Sequence, residues 1–398
     1  MPSPDAYWYV ADDLFRHGTL SLWGEKTTAF EPLYPLFLAV SRGLTGDNYF
    51  LTILIQIGIS ALGCFFLYKL SLLLSGDQRI AFLASLLYSF SPYLIAKTSA
   101  FWVVTLFTSL LIMSAYYYCK AVDLRNSLYC GAAFGLTFLT RAMILPAFVF
   151  GLVMLIFRRR FLHAVIIFTT AFILVSPYLV RNWQLDRSLL PTRSGWVLFQ
   201  GNCEYSDQLI PKYSPTLLST YAFELVRKEK PELVDPQRGY GQIEGKNSAA
   251  FNTFYTKKAL EFMKTNPWKT LRLKALNILY LFHPRLVAFY PIGKVGDVKI
   301  TAEGKIKVTN LPSRSPFVEW GYTTYFSVLL LAAPLGVYLR RKELHKDSIF
   351  FCIVFSFIVV HSLYWPTTNY RAPMDFILMF YAACGLKRWI PSRAALQK

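Results

Sequence analysis

Long apolar stretches separated by short polar ones dominate this chain. Nine of them are apolar enough to be interpreted as membrane-spanning helices, at 49–74, 80–96, 101–119, 127–141, 143–157, 161–180, 317–339, 348–366 and 372–386. A spanning helix needs about 20 mostly apolar residues, because backbone polar groups find no water in the hydrocarbon layer. The two halves of 127–157 are short, and Arg141 and Pro146 near their junction indicate a tight outer turn. The pattern therefore predicts an all-α polytopic membrane protein with about nine transmembrane helices.

Basic residues are spread unevenly over the loops between these stretches. Every second loop and the C-terminal tail are rich in Lys and Arg, namely Arg79, Lys120, Arg125, Arg158, Arg159, Arg160, Arg340, Arg341, Lys342, Lys346, Lys387, Arg388, Arg393 and Lys398. The acids in the same loops are Asp77, Asp123, Glu343 and Asp347. Since Lys and Arg concentrate in short cytoplasmic loops, these loops are predicted to be cytoplasmic and the alternate loops to face outwards.

This topology divides the chain into four parts. They are a first outer loop with interfacial helices at 1–48, spanning helices at 49–183, a large outer (periplasmic or extracytoplasmic) loop region at 184–316, and spanning helices with a cytoplasmic tail at 317–398. Within the outer region the apolar window 270–292 contains Arg272, Lys274, His283 and Arg285. A helix in the outer membrane interface accommodates both its apolar face and its basic groups.

Composition agrees with a membrane protein. Of the 398 residues, 54% are hydrophobic and 16% charged, and the mean hydropathy is +0.36. These values exclude a disordered chain or a disulfide scaffold. The formal net charge of +19 divides into roughly equal cytoplasmic and outer-region excesses, whereas the first outer loop is acidic. Because topology accounts for about half of the charge, nucleic acid is not the expected partner.

The first outer loop contains two predicted helices. Residues 7–16 place Tyr7, Ala11, Leu14 and Phe15 on one face, and the run 33–44 is too short to span, which suits a helix on the outer membrane surface. Two such helices would frame an acidic outer pocket. The chain begins on the outer side, so we expect a first spanning helix to be encoded upstream of Met1.

Several motifs occur in order along the chain. The first outer loop has an Asp-Ala-x-x-Tyr-x-x-Ala-x-x-Leu-like pattern at Asp5, Ala6, Tyr9, Ala11 and Leu14, with a looser spacing at Ala11, followed by Pro-Leu-Tyr-Pro-Leu-Phe-Leu-Ala at 32–39. Later landmarks are 135–141, 176–182, Gly201-Asn202 and Tyr370-Arg371-Ala372-Pro373. Together they resemble the GT-C-type integral-membrane glycosyltransferases of the protein O-mannosyltransferase (glycosyltransferase family 39) and lipid A aminoarabinose transferase kind.

The resemblance implies a GT-C-like fold and transfer of a sugar from a polyprenyl-phosphate carrier to an acceptor on the outer face of the membrane. It also implies that an acidic residue of the first outer loop, here Asp5, is the catalytic acid/base. A carboxylate can take the proton that an acceptor hydroxyl loses as it attacks. The alternative for Asp5 is a helix N-cap. Asp12, Asp13 and Glu31 are second choices for a base or a metal ligand, against the alternative of solvated surface acids.

A lipid-phosphate leaving group requires cations at the outer membrane boundary. Lys97, Arg141, Arg181 and Arg371 lie at four different outer helix ends and are the predicted carrier-phosphate ligands. Snorkelling of each side chain to lipid headgroups is the alternative, and Asp375, at i+4 from Arg371, offers a structural ion pair.

The five histidines show no metal-ligand spacing. These residues therefore predict no cofactor. The alternative is a divalent metal ion, which the resemblance allows because some members of the family use one. The expected partners are a polyprenyl-phosphate-linked sugar and a membrane lipid, glycan or protein acceptor, in a bacterial cytoplasmic (inner) membrane. The alternative function is that of a transporter or flippase, or of a polysaccharide ligase, acting on lipid-linked saccharides. Glu319 and Asp375, the acids within the predicted spans, lie near outer ends, which disfavours coupled transport through midplane acids.

Overall fold

The computed structural model describes residues 6–209, 213, 215–235, 240–245, 247–285, 297–301, 304–309 and 316–387. Across these residues the chain is mostly helical, and its strands form two two-stranded antiparallel sheets. Asp5, the predicted catalytic residue, lies outside the described residues, as does the part 286–292 of the predicted interfacial helix.

The first outer loop contains both predicted helices. In chain order its elements are α1 (Ala6–His17), β1 (Ser21–Leu22), β2 (Glu25–Lys26) and α2 (Leu33–Thr45). Tyr7 and Ala11, predicted to share one face of α1, are both buried. Phe15, predicted on the same face, is 45% exposed, whereas Trp8 and Val10 are buried. Trp8 stacks on Tyr49 and packs against Phe101. Because of these tertiary contacts, the buried side of α1 differs from the predicted face.

Apolar helices follow the first outer loop. They are α3 (Tyr49–Ser75), α4 (Gln78–Ser89), α5 (Pro92–Thr98), α6 (Val104–Lys120), α7 (Leu124–Thr140), a 3-10 turn at Ala142–Ile144, α8 (Leu145–Phe157) and α9 (Phe161–Asp186). Local sequence sets several of their ends. Asn48 caps α3 and Asp123 caps α7 through hydrogen bonds to backbone amides. Gly76 ends α3 with a positive φ, which glycine adopts readily.

The outer region forms a separate group of short helices around its own apolar cluster. It contains α10 (Ser194–Gly201), α11 (Ser206–Leu209), a 3-10 turn at Pro215–Leu218, α12 (Ser219–Glu229), 3-10 turns at Pro231–Leu233 and Tyr240–Glu244, α13 (Ser248–Thr265), α14 (Pro267–Leu281), β3 (Asp297–Ile300) and β4 (Ile306–Thr309). Phe199, Phe251 and Tyr255 lie at the centre of this cluster.

The last part of the chain consists of α15 (Pro316–Leu339), α16 (Ser348–Leu363), α17 (Thr368–Arg371), a 3-10 turn at Ala372–Met374 and α18 (Asp375–Leu386). Small residues let these helices approach closely. A Cβ on Gly385 would lie 2.6 Å from the carbonyl oxygen of Ala332, so α15 and α18 pack backbone to backbone. Gly131 has the same relation to Ile167, between α7 and α9.

The chain is an integral membrane protein by the length and composition of its apolar helices. Among the described residues, α3, α9 and α15 are long and apolar enough to cross a membrane, and α4 with α5 would make a fourth span bent by 56°. In the most apolar windows of α3 and α9 only 22% and 28% of the residues are buried, which leaves apolar side chains to face lipid. The other predicted spans coincide with shorter helices, so the count of nine remains a prediction.

Candidate active site

A pocket of about 330 Å³ lies where the first outer loop meets three other parts of the chain. Its walls come from α1 and the loop before α2, from the turn between α7 and α8, from the connection of α9 to α10, and from the end of α16 with α17. The polar and aromatic side chains that line it include Tyr7, Glu31, Arg141, Arg193, His361 and Tyr370. We call it the Glu31 pocket.

Glu31 connects two walls of this pocket. It immediately precedes Pro32, the N-cap residue of α2, and its side chain is half-buried. One carboxylate oxygen accepts a hydrogen bond from the backbone amide of Ala142 (3.0 Å), and the other accepts one from the hydroxyl of Tyr7 (3.3 Å). The carboxylate therefore holds α1 against the turn that follows α7.

Arg141 lines the same pocket as Glu31, at the point where α7 ends. Its backbone is extended (φ −155°, ψ 116°), which ends α7, and the 3-10 turn begins at the next residue. The guanidinium carbon lies 4.9 Å from the centre of the Tyr370 ring. Its Nε is buried, and none of the residues that the structure describes accepts a hydrogen bond from it. Arg141 as a whole is half-buried at the pocket wall, and a guanidinium in such a place suits an anionic ligand such as phosphate.

Arg193 is a second guanidinium at the pocket, which the sequence did not indicate. Its Nε lies 2.7 Å from the Glu244 carboxylate, and its guanidinium packs over the Phe30 ring. The backbone carbonyl of Glu244 in turn accepts a hydrogen bond from the hydroxyl of Thr27 (2.6 Å). These contacts fasten the outer region to the first outer loop across the pocket.

His361 and Tyr370 form an aromatic wall. Their rings stack with 5.5 Å between centres and 19° between planes, and His361 is only 3% exposed. Tyr370 belongs to one of the sequence landmarks. A histidine within an apolar helix is usually a hydrogen-bonded core residue, but among the described residues neither ring nitrogen of His361 has a hydrogen-bond partner. His361 lies at the pocket because α16 packs against the 3-10 turn at Ala142–Ile144, a tertiary contact that no local pattern reveals.

Of the four predicted phosphate ligands, only Arg141 lines the Glu31 pocket. The ammonium of Lys97 lies 3.8 Å from the centre of the Trp102 ring. Arg181 donates hydrogen bonds to the backbone carbonyls of Thr27 (3.0 Å) and Leu20 (2.7 Å). Arg181 thereby holds the first outer loop in place, and the structure does not bring the four cations together.

Arg371 forms the structural ion pair that competes with phosphate binding. Its guanidinium donates to both carboxylate oxygens of Asp375 (3.1 and 3.2 Å) and to the hydroxyl of Tyr322. It also lies 3.5 Å from the centre of the Phe326 ring and is 2% exposed. Its donors are thus used inside the protein core.

The second-choice acids have different surroundings. Asp12 pairs with Arg16 (3.0 Å) and with Arg42 (2.8 Å). Burial raises the pKa of Asp12, but the hydrogen bonds and charges of these two arginines outweigh it and lower the pKa. Asp13 accepts hydrogen bonds from the Ser21 hydroxyl (2.9 Å) and the Gly24 amide (2.7 Å). Both acids therefore stabilise the first outer loop, whereas Glu31 lines the pocket.

An apolar groove of about 350 Å³ adjoins the pocket. It lies among α7, α8 and α9 and is lined almost entirely by apolar side chains, including Phe134, Phe138, Phe148, Phe168 and Phe172. Leu145 and Leu190 line both the groove and the Glu31 pocket. A ligand with a charged head and a long apolar tail matches this pair of cavities.

The sequence predicts no metal site, and a divalent ion stays an untested alternative. Within the described ranges, no group of three or more His, Cys, Asp or Glu residues is arranged to hold a metal ion.

Comparison with known proteins supports the resemblance. Residues 28–181, less than half of the chain, match a family model described as dolichyl-phosphate-mannose-protein mannosyltransferase. The matched range includes Glu31, Lys97, Arg141 and Arg181 and excludes Asp5 and Arg371. No curated protein matches the chain significantly.

Two solved structures are similar to the chain, both of ArnT from Cupriavidus metallidurans. The apo structure is 13% identical with a TM-score of 0.39, over 97% of this chain and 73% of that one. The structure bound to undecaprenyl phosphate is 15% identical with a TM-score of 0.39, over 97% and 74%. At these values the likeness carries no further conclusion. The family match itself confirms the resemblance that the motifs predict: the chain is similar to the GT-C-type integral-membrane glycosyltransferases.

Proposed function

We propose that this protein transfers a sugar from a polyprenyl-phosphate carrier to an acceptor at the outer face of the membrane. The matched family is named for a sugar carried on dolichyl phosphate, which is a polyprenyl-type phosphate. The observation that supports the proposal most is the Glu31 pocket itself. It brings a carboxylate and two guanidinium groups together at the mouth of an apolar groove.

The chemistry requires one bond to form and one to break. The acceptor hydroxyl oxygen attacks C1 of the sugar, and the bond from C1 to the phosphate oxygen breaks. The electron pair leaves with the carrier phosphate, and the hydroxyl proton moves to a carboxylate. Arg141 would bind the phosphate and stabilise the charge that develops on it, because charge-assisted donors are strongest where water is excluded.

Asp5 remains the proposed catalytic base, on the strength of the family resemblance and of its position two residues before Tyr7 in the sequence. Glu31 has a different proposed role. Both of its oxygens already accept hydrogen bonds from the protein, so it orients Tyr7 and the turn after α7. The isoprenoid tail of the carrier would lie in the apolar groove.

We also propose the predicted topology as a whole. All nine apolar windows would cross a bacterial cytoplasmic membrane, with 1–48 and 184–316 outside and the basic loops inside. Two observations support this arrangement: each window contains a helix, and the first outer loop contacts the outer region through Thr27 and Glu244.

Binding of undecaprenyl phosphate to the purified protein in lipid nanodiscs tests the pocket assignment. We expect saturable binding by the wild type and an affinity about tenfold to hundredfold weaker for Arg141→Gln, because a hydrogen bond to a charged group contributes about 1.5–3 kcal/mol. The matched control is Arg187→Gln, since Arg187 is exposed at the end of α9 and packs on Trp183. No saturable binding, or equal losses in both variants, would contradict the proposal.

A further inference from the structure

The last turn of α16 is capped from the outer region. Helix ends leave carbonyl groups without intrahelical partners, and here three side chains supply the donors. Lys274 donates to the carbonyl of Leu363 (2.7 Å) and Asn202 donates to the same oxygen (2.8 Å). Asn277 donates to the carbonyls of Ser362 and Tyr364, each at 3.3 Å. We call these three residues the α16 clamp.

The clamp is built into the packing of the outer region. Asn202 and Asn277 are 0% and 2% exposed. The Asn202 side-chain oxygen accepts a hydrogen bond from the Lys274 ammonium, and its amide also donates to the carbonyl of Leu198 in α10 (2.8 Å). A Cβ on Gly201 would lie 2.7 Å from the carbonyl carbon of Tyr364. The outer region thus approaches α16 backbone to backbone, with little freedom to shift.

The charge of Lys274 also favours its contact with the end of α16. The carbonyl end of a helix carries a partial negative charge, and a cation there is stabilising. Burial lowers the pKa of Lys274 to about 8, so at pH 7 most of the side chain is still the ammonium that such an end favours. Lys274 is the cation of the clamp, whereas Asn202 and Asn277 are neutral.

The capped turn carries two residues of the Glu31 pocket, His361 and Tyr364. We propose that Lys274 is a positioning residue, which through the α16 clamp fixes His361 and Tyr364 at the pocket wall and so sets the affinity for the polyprenyl-phosphate ligand. The consequence for affinity rests on the proposed function, whereas the clamp itself does not. The outer region would thereby influence carrier binding without touching the carrier.

Two measurements on one set of variants test this inference. Lys274→Met removes the ammonium, and Lys274→Arg keeps a cation that can donate to the same carbonyl. Lys269→Met is the matched control, because Lys269 lies on the same helix but pairs with Asp207 and the carbonyl of Glu204. Hydrogen–deuterium exchange of the peptide around 362–366 in ligand-free protein measures the clamp. Undecaprenyl phosphate affinity measures its consequence.

We expect exchange in that peptide to be at least fivefold faster in Lys274→Met, with undecaprenyl phosphate bound about fivefold to tenfold more weakly. Lys274→Arg should restore both to within about twofold of the wild type, and Lys269→Met should change neither. Unchanged exchange in Lys274→Met would refute the clamp, whether or not the probe binds. Faster exchange with unchanged affinity would refute the positioning role. If exchange is faster in Lys274→Met but the wild type does not bind undecaprenyl phosphate, the clamp is established. The proposed function and the dependence of affinity on Lys274 are then contradicted.

Discussion

The carboxylate of Glu31 accepts a hydrogen bond from the backbone amide of Ala142, 3.0 Å away, and thereby joins the first outer loop to the residue that follows Arg141. The two partners are 111 positions apart in the sequence. Glu31 and the half-buried Arg141 thereby line one pocket at the mouth of an apolar groove. The predictions below concern this bond, the ion pairs around the site, and the topology.

Glu31→Ala should destabilise the protein more than Glu31→Gln. Glutamine keeps an oxygen that can accept from the Ala142 amide, whereas alanine leaves that donor without its acceptor, which costs about 1–2 kcal/mol. The free energy of unfolding in detergent measures the difference. Equal stability of wild type, Glu31→Gln and Glu31→Ala would show that the bond does not hold the loop.

Replacing Arg371 should lower the stability of the folded protein, because Arg371 is the partner of a buried carboxylate. Arg371→Met would leave the carboxylate of Asp375 buried without its partner, and breaking a buried pair in this way costs about 3–5 kcal/mol. The double variant Arg371→Met, Asp375→Leu should recover most of that loss, as measured by thermal unfolding. A fully stable Arg371→Met that no longer binds undecaprenyl phosphate would restore Arg371 as a phosphate ligand.

Acid should remove the contribution of Asp12 to stability. Its pKa in the folded protein is lowered by Arg16 and Arg42, so the ionised form is favoured by folding. This contribution is fully present above the unfolded-state pKa of about 3.9 and is lost as the pH falls through the lower folded-state pKa. The melting-temperature difference between wild type and Asp12→Asn should therefore be constant from pH 5 to 7 and shrink below about pH 4. A difference that grows on acidification would contradict the assignment.

Cysteines introduced at His17 and His345 should react on opposite sides of the membrane. Both positions are exposed, one at the end of α1 and the other in the loop before α16. A membrane-impermeant maleimide added to whole cells should label His17→Cys and leave His345→Cys unlabelled until the cells are lysed. The wild type is the control, because its described cysteines are buried or half-buried. Labelling of both variants in whole cells would overturn the topology.

The helices were predictable, whereas most of the pocket was not. Apolar windows and caps such as Asn48 and Asp123 are local signals, and the helices lie where these signals indicate. The partners of charged residues come from distant segments of the chain and leave no local signal. Arg181 donates hydrogen bonds to carbonyls of the first outer loop, and Arg193 forms a salt bridge with Glu244, which follows α12. The ion pair of Arg371 with Asp375 was predictable from the sequence because the two residues are one helical turn apart.

Release of free carrier is the measurement that tests the central claim most directly. The purified protein in nanodiscs is incubated with undecaprenyl-phosphate-linked sugars and an envelope lipid extract as acceptor, and free undecaprenyl phosphate is quantified by mass spectrometry. We predict time-dependent release by the wild type with at least one donor, at least a hundredfold slower release by Asp5→Asn, and a weaker apparent affinity for the donor in Arg141→Gln. Release from no donor, or equal release by wild type and Asp5→Asn, would contradict the account.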